Sequence, residues 1–313
     1  MSAAIIPTTP ETIAQAATIL RKGGLVAIPT ETVYGLACDA ANPDAVARLY
    51  DVKGRPSFNP LIAHISGPEM AAREGILNAQ ALACAEAFWP GPLTLVVPAH
   101  KGGVTCELAR AGLASIALRM PGHGAPRDLI AALGRPIVAP SANRSGRISP
   151  VTAKDVAEEL GKGVDLILDG GRCELGLEST IVSFLSDPPQ LLRPGGLART
   201  EIEAVLGMQL AAPAPAGDAP TAPGQLSRHY APDAQIRLNA EAPEPGEVFV
   251  GFGEISGDYT LSASGSLREA AANLYPLLRE LDRHHGRIAI CPLPTEGLGE
   301  AINDRLRRAA YRG

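Results

Sequence analysis

Lys53-Gly54-Arg55 and Ser141-Ala142-Asn143 are the segments of this chain whose residue types point most directly to chemistry. Arginine grips an anion through a planar fork, and lysine adds a point charge. Serine and asparagine supply neutral hydrogen bonds. Loops of this kind can hold a polyphosphate without a P-loop, and no GxxxxGK[ST] sequence is present. Thr30-Glu31-Thr32 is a third polar loop, and Arg55 leads into the proline-pinned Pro56-Ser57-Phe58-Asn59-Pro60. In isolation, Lys53 and Arg55 also read as solvated charges at a helix C-terminus. What favours a ligand is that all three loops adjoin strands, where scaffolded loops carry function.

Further residues read two ways. His64 lies in an apolar strand, either as a satisfied core histidine or lining a pocket for a small polar substrate. Arg119 alternates with its neighbours in a strand. Buried, it needs an anion such as a substrate carboxylate; facing outward, it is ordinary. Arg193-Pro194-Gly195 suits a plain turn or a phosphate contact, and Ser179-Thr180 suits strand-start hydroxyls or substrate contacts. Gly251 to Gly257 follows a strand but misses GxGxxG spacing, so it reads as a turn.

These loops need elements to position them. Thr9-Pro10-Glu11 predicts an N-cap opening a helix that stops at Gly23-Gly24. Asn42-Pro43 caps a second helix ending near Lys53, and Thr152 starts another to about Leu160. A further helix is expected around Ala79 to Phe88. Strands are expected over 25–28, 61–65, 93–97, 115–120, 135–139, 165–168, 179–184 and 190–193. Many strands with few long helices between them predict an α/β fold with a twisted mixed sheet.

The Ala/Pro tract 211–224 has no apolar period and reads as an extended linker. Beyond it, strands at 247–252 and 287–291 alternate with a helix opened by Ser266 and Glu269, then a last helix over 300–310. Pro276 falls inside the first of these helices, where it predicts a kink. The division expected is a catalytic domain over 1–208, a linker and lid over 209–232, and a small Rossmann-like β-α-β-α domain over 233–313.

Composition narrows the class. The chain has 313 residues, 46% apolar and 19% charged, enough for a substantial core. A net charge of −5 argues against a protein that coats nucleic acid. No apolar run is long enough for a membrane span, and Met1 to Thr9 lacks the regions of a secretion signal, so a cytoplasmic protein is expected. Cys38, Cys84, Cys106, Cys173 and Cys291 match no zinc spacing and read as small apolar fillers; a catalytic thiol is the alternative, disfavoured because no histidine lies nearby in a recognisable arrangement.

Taken together, Pro29 to Leu36, Lys53-x-Arg55, Asn59 to Leu61, Trp89 to Thr94, Arg119-x-Pro121, Pro140 to Asn143, Glu178 to Thr180 and Leu192 to Gly195 resemble the YrdC family. The linker, Ser227 to Pro232 and the small domain resemble that family's longer two-domain form. The resemblance implies a nucleotidyltransferase fed by L-threonine, bicarbonate or CO2, and ATP. Its products would be L-threonylcarbamoyl-AMP, which feeds N6-threonylcarbamoylation of adenosine 37 in tRNA, and pyrophosphate. By the same resemblance, Lys53, Arg55, Asn59, Ser115, Ser141, Asn143, Ser149 and Arg193 should contact ATP, with Lys53 and Arg55 catalytic and Tyr230 folding back over the nucleotide. Thr32, His64, Arg119 and Ser179 should contact threonine, with Arg119 on its carboxylate. Mg2+ should ride on the ATP phosphates. A downstream threonylcarbamoyl-transfer complex and a tRNA or double-stranded RNA contact complete the implied partners.

Two other classes compete. An RNA-binding module could use Lys53, Arg55, Arg144 and Arg147 as one positive surface. A carbamoyl-transfer unit of hydrogenase maturation would bring an acylphosphatase-like region and paired-cysteine zinc motifs, and neither is read here.

Overall fold

The computed structural model describes residues 3–212 and 230–311. Most of the tract expected to form a linker and lid therefore lies outside the described residues. Its first residues are attached to the sheet: Leu210 is buried and Ala211 bridges Gln190.

The larger unit is a mixed sheet of ten described strands: β1 (Ile5–Pro7), β2 (Val26–Ile28), β3 (Gly35–Asp39), β4 (Ile62–His64), β5 (Leu93–Pro98), β6 (Ser115–Arg119), β7 (Ile137–Val138), β8 (Leu166–Asp169), β9 (Thr180–Ser183) and β10 (Gln190–Arg193). Their order across the sheet is β1-β8-β2-β3-β7-β4-β6-β5-β9-β10. The mixture is real, since β8 runs parallel to β1 and β2 while β3 and β7 are antiparallel neighbours. Strands β1 and β3 escape the sequence reading. The first is a three-residue strand ending in proline, and the second emerges directly from the Thr30–Tyr34 loop with no turn signal before it.

The helices of the larger unit are α1 (Pro10–Arg21), α2 (Pro43–Lys53), α3 (Pro68–Glu74), α4 (Ala79–Phe88), α5 (Gly124–Leu133), α6 (Ala153–Leu160) and α7 (Arg199–Leu206), of which α1, α2 and α6 begin where their caps predict. Thr9, Asn42 and Thr152 each accept a backbone N–H from the first turn, which satisfies donors that a helix start leaves unpaired.

Alternation along the strands separates two sheet faces in the half that matters for function. Ala63, Leu95, Val97, Leu118, Val182 and Leu191 enter the large apolar core on one face. Ile62, Val96, Ala117, Ile181 and Leu192 form a separate small cluster on the other. That second face carries the cleft described below.

The smaller unit is a parallel sheet of four described strands, β11 (Gln235–Arg237), β12 (Val248–Gly251), β13 (Tyr259–Thr260) and β14 (Arg287–Ile290), ordered β11-β14-β12-β13. It packs against α8 (Leu267–His284) and α9 (Leu298–Ala310). Strands β12 and β14 and both helices fall where expected, while the short β11 and β13 were not legible. Ser266 caps α8 through Glu269 N–H, but the Glu269 carboxylate turns to Ser262 and Ser264 instead of closing a capping box. The helix continues through Pro276 to His284. Apolar residues of both units belong to one continuous core. Among the described residues, no helix is long and apolar enough to cross a membrane.

Candidate active site

A cleft opens on the face of the small apolar cluster, walled by Thr32, Arg55, His64, Arg119, Ser141, Ser179, Arg193 and Tyr230, among others. Strand parity explains much of this gathering. His64 lies two residues beyond Ile62, Arg119 two beyond Ala117, and Ser179 two before Ile181, so each points to the cluster's face. Arg193 needs an irregularity to join them. Leu191 opposes Val182 and Arg193 opposes Ile181, leaving Leu192 as a bulged residue that returns Arg193 to the cleft side.

The loops are fixed from within. The Thr30 hydroxyl accepts the N–H groups of Thr32 and Val33 and donates to the Val33 carbonyl at 2.6 Å, folding Pro29–Tyr34 into a tight turn. Ala142 N–H donates to Tyr34 O at 2.8 Å and Ser141 bridges Gly35, which joins the Thr30 and Ser141 loops. After Arg193 the chain passes so close to the start of β9 that a Cβ on Gly195 would sit 2.4 Å from backbone atoms of Glu178, Ser179 and Thr180.

At one end of the cleft, Arg119 Nη2 donates to Glu31 Oε1 at 2.6 Å and to Thr32 Oγ1 at 2.9 Å. Its anionic partner within the fold is therefore Glu31. Burial pushes the Glu31 carboxyl up, but Arg119 outweighs this and holds it at about 2. His64 Nδ1 lies 3.2 Å from Ile62 O. Burial first, then Arg119, lowers its pKa to about 3, so the imidazole is neutral. With Nδ1–H turned to the carbonyl, Nε2 is left as an acceptor.

At the other end, Arg55 donates to the carbonyls of Asn59 and Pro60, and Arg193 donates to Ser179 O at 2.8 Å and 3.1 Å and to Ser179 Oγ at 3.2 Å. Among the described residues neither guanidinium donates to a carboxylate. Burial lowers the pKa of both, Arg55 to about 10. Buried cations resting on neutral oxygens are costly unless an anion arrives. The Asn59 amide adds to this: both its polar atoms are buried with no hydrogen-bond partner among the described residues.

Other residues expected in the site stand off the cleft wall. Lys53 Nζ is buried behind the Ser141 loop, donating to Ser141 O and Asn143 O at 2.5 Å each, while Lys53 O accepts Ser145 N–H. It clamps the loop from two sides, and burial holds its pKa well below the usual range. Asn143 Nδ2 closes the same loop onto Arg144 O and Arg147 O. Ser149 donates to Glu178 Oε1 at 2.6 Å. Ser115 shares the face of Ala117 and Arg119 but sits at the far end of β6, paired with Pro98.

Glu178, which the sequence reading placed in a motif but gave no role, is buried on the cleft wall. Besides Ser149 it receives Tyr275 OH at 2.9 Å and 3.0 Å and Arg305 Nε at 2.8 Å, both from the smaller unit. A signal for Arg305 existed, because it falls on the apolar stripe of α9 with Ala301, Ile302 and Ala309. Of the residues an RNA module would use, Lys53 and Arg55 are buried and Arg147 forks onto Asp233. Among the described residues no cluster of His, Cys, Asp or Glu could hold a metal, and the thiols are unbridged.

Residues 18–195 match the family described as Telomere recombination (Sua5_yciO_yrdC), and residues 197–311 match the family described as Threonylcarbamoyl-AMP synthase, C-terminal domain (Sua5_C). The chain is 41% identical to the threonylcarbamoyl-AMP synthase of Pyrococcus abyssi, over 94% of this chain and 93% of the relative. It is 40% identical to that of Bacillus subtilis, over 95% and 92%. Its fold is similar to the crystal structure of P. abyssi Sua5 complexed with L-threonine, with a TM-score of 0.89 and 37% identity over 99% of this chain and 97% of the other.

Proposed function

The chain belongs to the Sua5/YrdC family in its two-domain form, and on that premise we propose that it is an L-threonylcarbamoyladenylate synthase. It converts L-threonine, bicarbonate or CO2, and ATP into L-threonylcarbamoyl-AMP and pyrophosphate, and the product serves N6-threonylcarbamoylation of adenosine 37 in tRNA. The observation that carries the reading is the pair of buried guanidiniums, Arg55 and Arg193, that share one cleft and, among the described residues, donate only to neutral oxygens.

A nucleotide triphosphate supplies the missing negative charge. At an effective dielectric constant of about 20, one guanidinium about 4 Å from a phosphate charge contributes on the order of 4 kcal/mol before desolvation costs. Val33, Ile62, Ala139 and Pro140 line the same cleft and offer apolar surface for the base. Tyr230 closes the same side. Lys53 and Asn143 act behind the cleft, by shaping the Ser141 loop that borders the phosphates.

Threonine occupies the Arg119 end. Its carboxylate meets the Arg119 guanidinium that Glu31 and Thr32 hold in place, Ser179 offers a hydroxyl, and the neutral His64 offers Nε2 to the substrate's donors. The amine then adds to CO2 and loses a proton, giving a carbamate. A carbamate oxygen bonds to the α-phosphorus as the bond to pyrophosphate breaks. No covalent enzyme intermediate is needed, so the protein's work is positioning and charge neutralisation.

Mg2+ enters on the ATP as part of the substrate. Glu178, the carboxylate on the cleft wall, is already occupied by Arg305, Tyr275 and Ser149, which leaves the metal to the phosphates. A cytoplasmic location suits the five free thiols. The labile product passes to a downstream threonylcarbamoyl-transfer complex, where the tRNA contact is made.

The test is pyrophosphate release from ATP, Mg2+ and bicarbonate, with and without L-threonine. Threonine-dependent release is expected, falling by about a hundredfold or more in Arg55→Ala and Arg193→Ala. Release that ignores threonine, or survives both substitutions, would overturn the proposal.

A further inference from the structure

We infer that Tyr275 and Arg305 of the smaller unit are positioning residues for nucleotide binding in the cleft, holding the Tyr230 ring on its wall and clamping the Glu178 carboxylate. The inference rests on the synthase reading above.

Neither residue lines the cleft, but both grip residues that do. The Tyr230 ring lies against Tyr275, with centroids 5.6 Å apart and planes inclined by 28°, and the Arg305 guanidinium sits 5.0 Å from the Tyr230 ring centroid. Tyr230 itself has φ of +62°, a conformation that a non-glycine residue keeps only when its surroundings enforce it. Beside it, Ala231 N–H donates to Gly146 O at 2.8 Å, tying this stretch to the Ser141 loop.

The second arm runs through Glu178. Its carboxylate is bound by Tyr275 OH and Arg305 Nε, and its neighbour Ser179 supplies the carbonyl that aims two nitrogens of Arg193. Displacing Glu178 therefore displaces the acceptor that orients a cleft cation. Holding the two units together does not require this buried set. Arg199–Glu300, Arg283–Glu158 and the Arg279 contacts to Asp155, Glu159 and Ile148 O already join them elsewhere.

The experiment uses the full chain with three substitutions. Tyr275→Phe removes one hydroxyl and keeps the ring. Arg305→Lys keeps the charge and loses the fork. Arg283→Met loosens an exposed ion pair between the units and serves as the mechanical control. ATP–Mg2+ binding is measured by equilibrium dialysis, and KM for ATP and for L-threonine by pyrophosphate release.

In Tyr275→Phe and Arg305→Lys, Kd and KM for ATP should rise about tenfold, the loss of one charge-assisted hydrogen bond. KM for threonine at saturating ATP should rise less than KM for ATP, since Arg119, Thr32 and His64 are untouched, and Arg283→Met should bind ATP as the wild type does. Unchanged ATP affinity in both site variants, or the same loss in Arg283→Met, would overturn the inference. Dialysis judges it independently of turnover: a wild type that binds ATP without threonine-dependent release would sink the synthase reading alone.

Discussion

Replacing Glu178 by glutamine tests whether the buried charges of the site are balanced as the structure indicates. Burial pushes this carboxyl up, but Arg305, Arg193 and the Ser149 hydroxyl outweigh it and bring the pKa from the ordinary 4.5 to about 2. At neutral pH the folded state is thereby favoured by about 3 kcal/mol, because a tenfold change in proton affinity is worth about 1.4 kcal/mol. The sign follows from the lowered folded pKa. This stability is fully present above about pH 4.5 and is lost as pH falls from there toward 2. Glutamine keeps the shape but leaves the fully buried Arg305 with Asp304 as its remaining carboxylate, at 2.7 Å. Removing one partner of a buried pair costs about 3–5 kcal/mol, so two separate arguments converge on a similar loss. The assay is the urea-unfolding free energy of wild type, Glu178→Gln, Arg305→Met and the double variant, from about pH 7 down to about pH 3. The single variants should each lose about 3 kcal/mol at pH 7, the double should lose less than their sum, and the gap between wild type and Glu178→Gln should narrow in acid. A loss at pH 7 below about 1 kcal/mol, or one that does not change with pH, would refute the reasoning.

Three further outcomes are expected. Gly195→Ala should abolish activity or folding, because its Cβ would fall 2.4 Å from backbone atoms of three residues; a soluble variant with wild-type kcat would show that this crossing is looser than described. His64, with a pKa of about 3 from burial and Arg119, is neutral across the working range. The pH profile of kcat/KM should therefore have the same shape in wild type and His64→Asn, and a wild-type limb near pH ~6.5 that vanishes in the variant would contradict this. Thiol titration of the native protein should reveal at most Cys106, with all five appearing after unfolding. Burial pushes the Cys173 thiol up to about 12 and Cys84 to about 11, so rapid native labelling of either would count against their burial.

What could be read beforehand was local chemistry. The caps at Thr9, Asn42, Thr152 and Ser266 are written in single side chains, and the strands that carry Arg119 and Ser179 show in their alternation. The loops at Thr30, Arg55 and Ser141 were legible as polar segments adjoining strands. What stayed hidden depends on partners distant in sequence. Lys53 was legible as a cation beside a polar loop, but its hydrogen bonds to two carbonyls 88 and 90 residues away were not. Arg193 is aimed by a bulge that only pairing with β9 creates. The Glu178 motif was visible, but its guanidinium and phenol partners lie 127 and 97 residues downstream in the other unit. Strands β1 and β13 are too short and too exposed to carry a period, and the sheet supplies what their sequences do not.

The strand order has a consequence for how the molecule is made. Strand β8 lies between β1 and β2, with Ile5 opposite Ile167 and Val26 opposite Leu166. The contact from Thr8 to Asp169 spans 161 residues. A ribosome adding about 5–20 residues per second therefore leaves the facing edges of β1 and β2 unpaired for roughly ten to thirty seconds. Such an open seat between two strands invites pairing with foreign edges until its proper occupant emerges. Slow folding dominated by distant pairings follows from this arrangement.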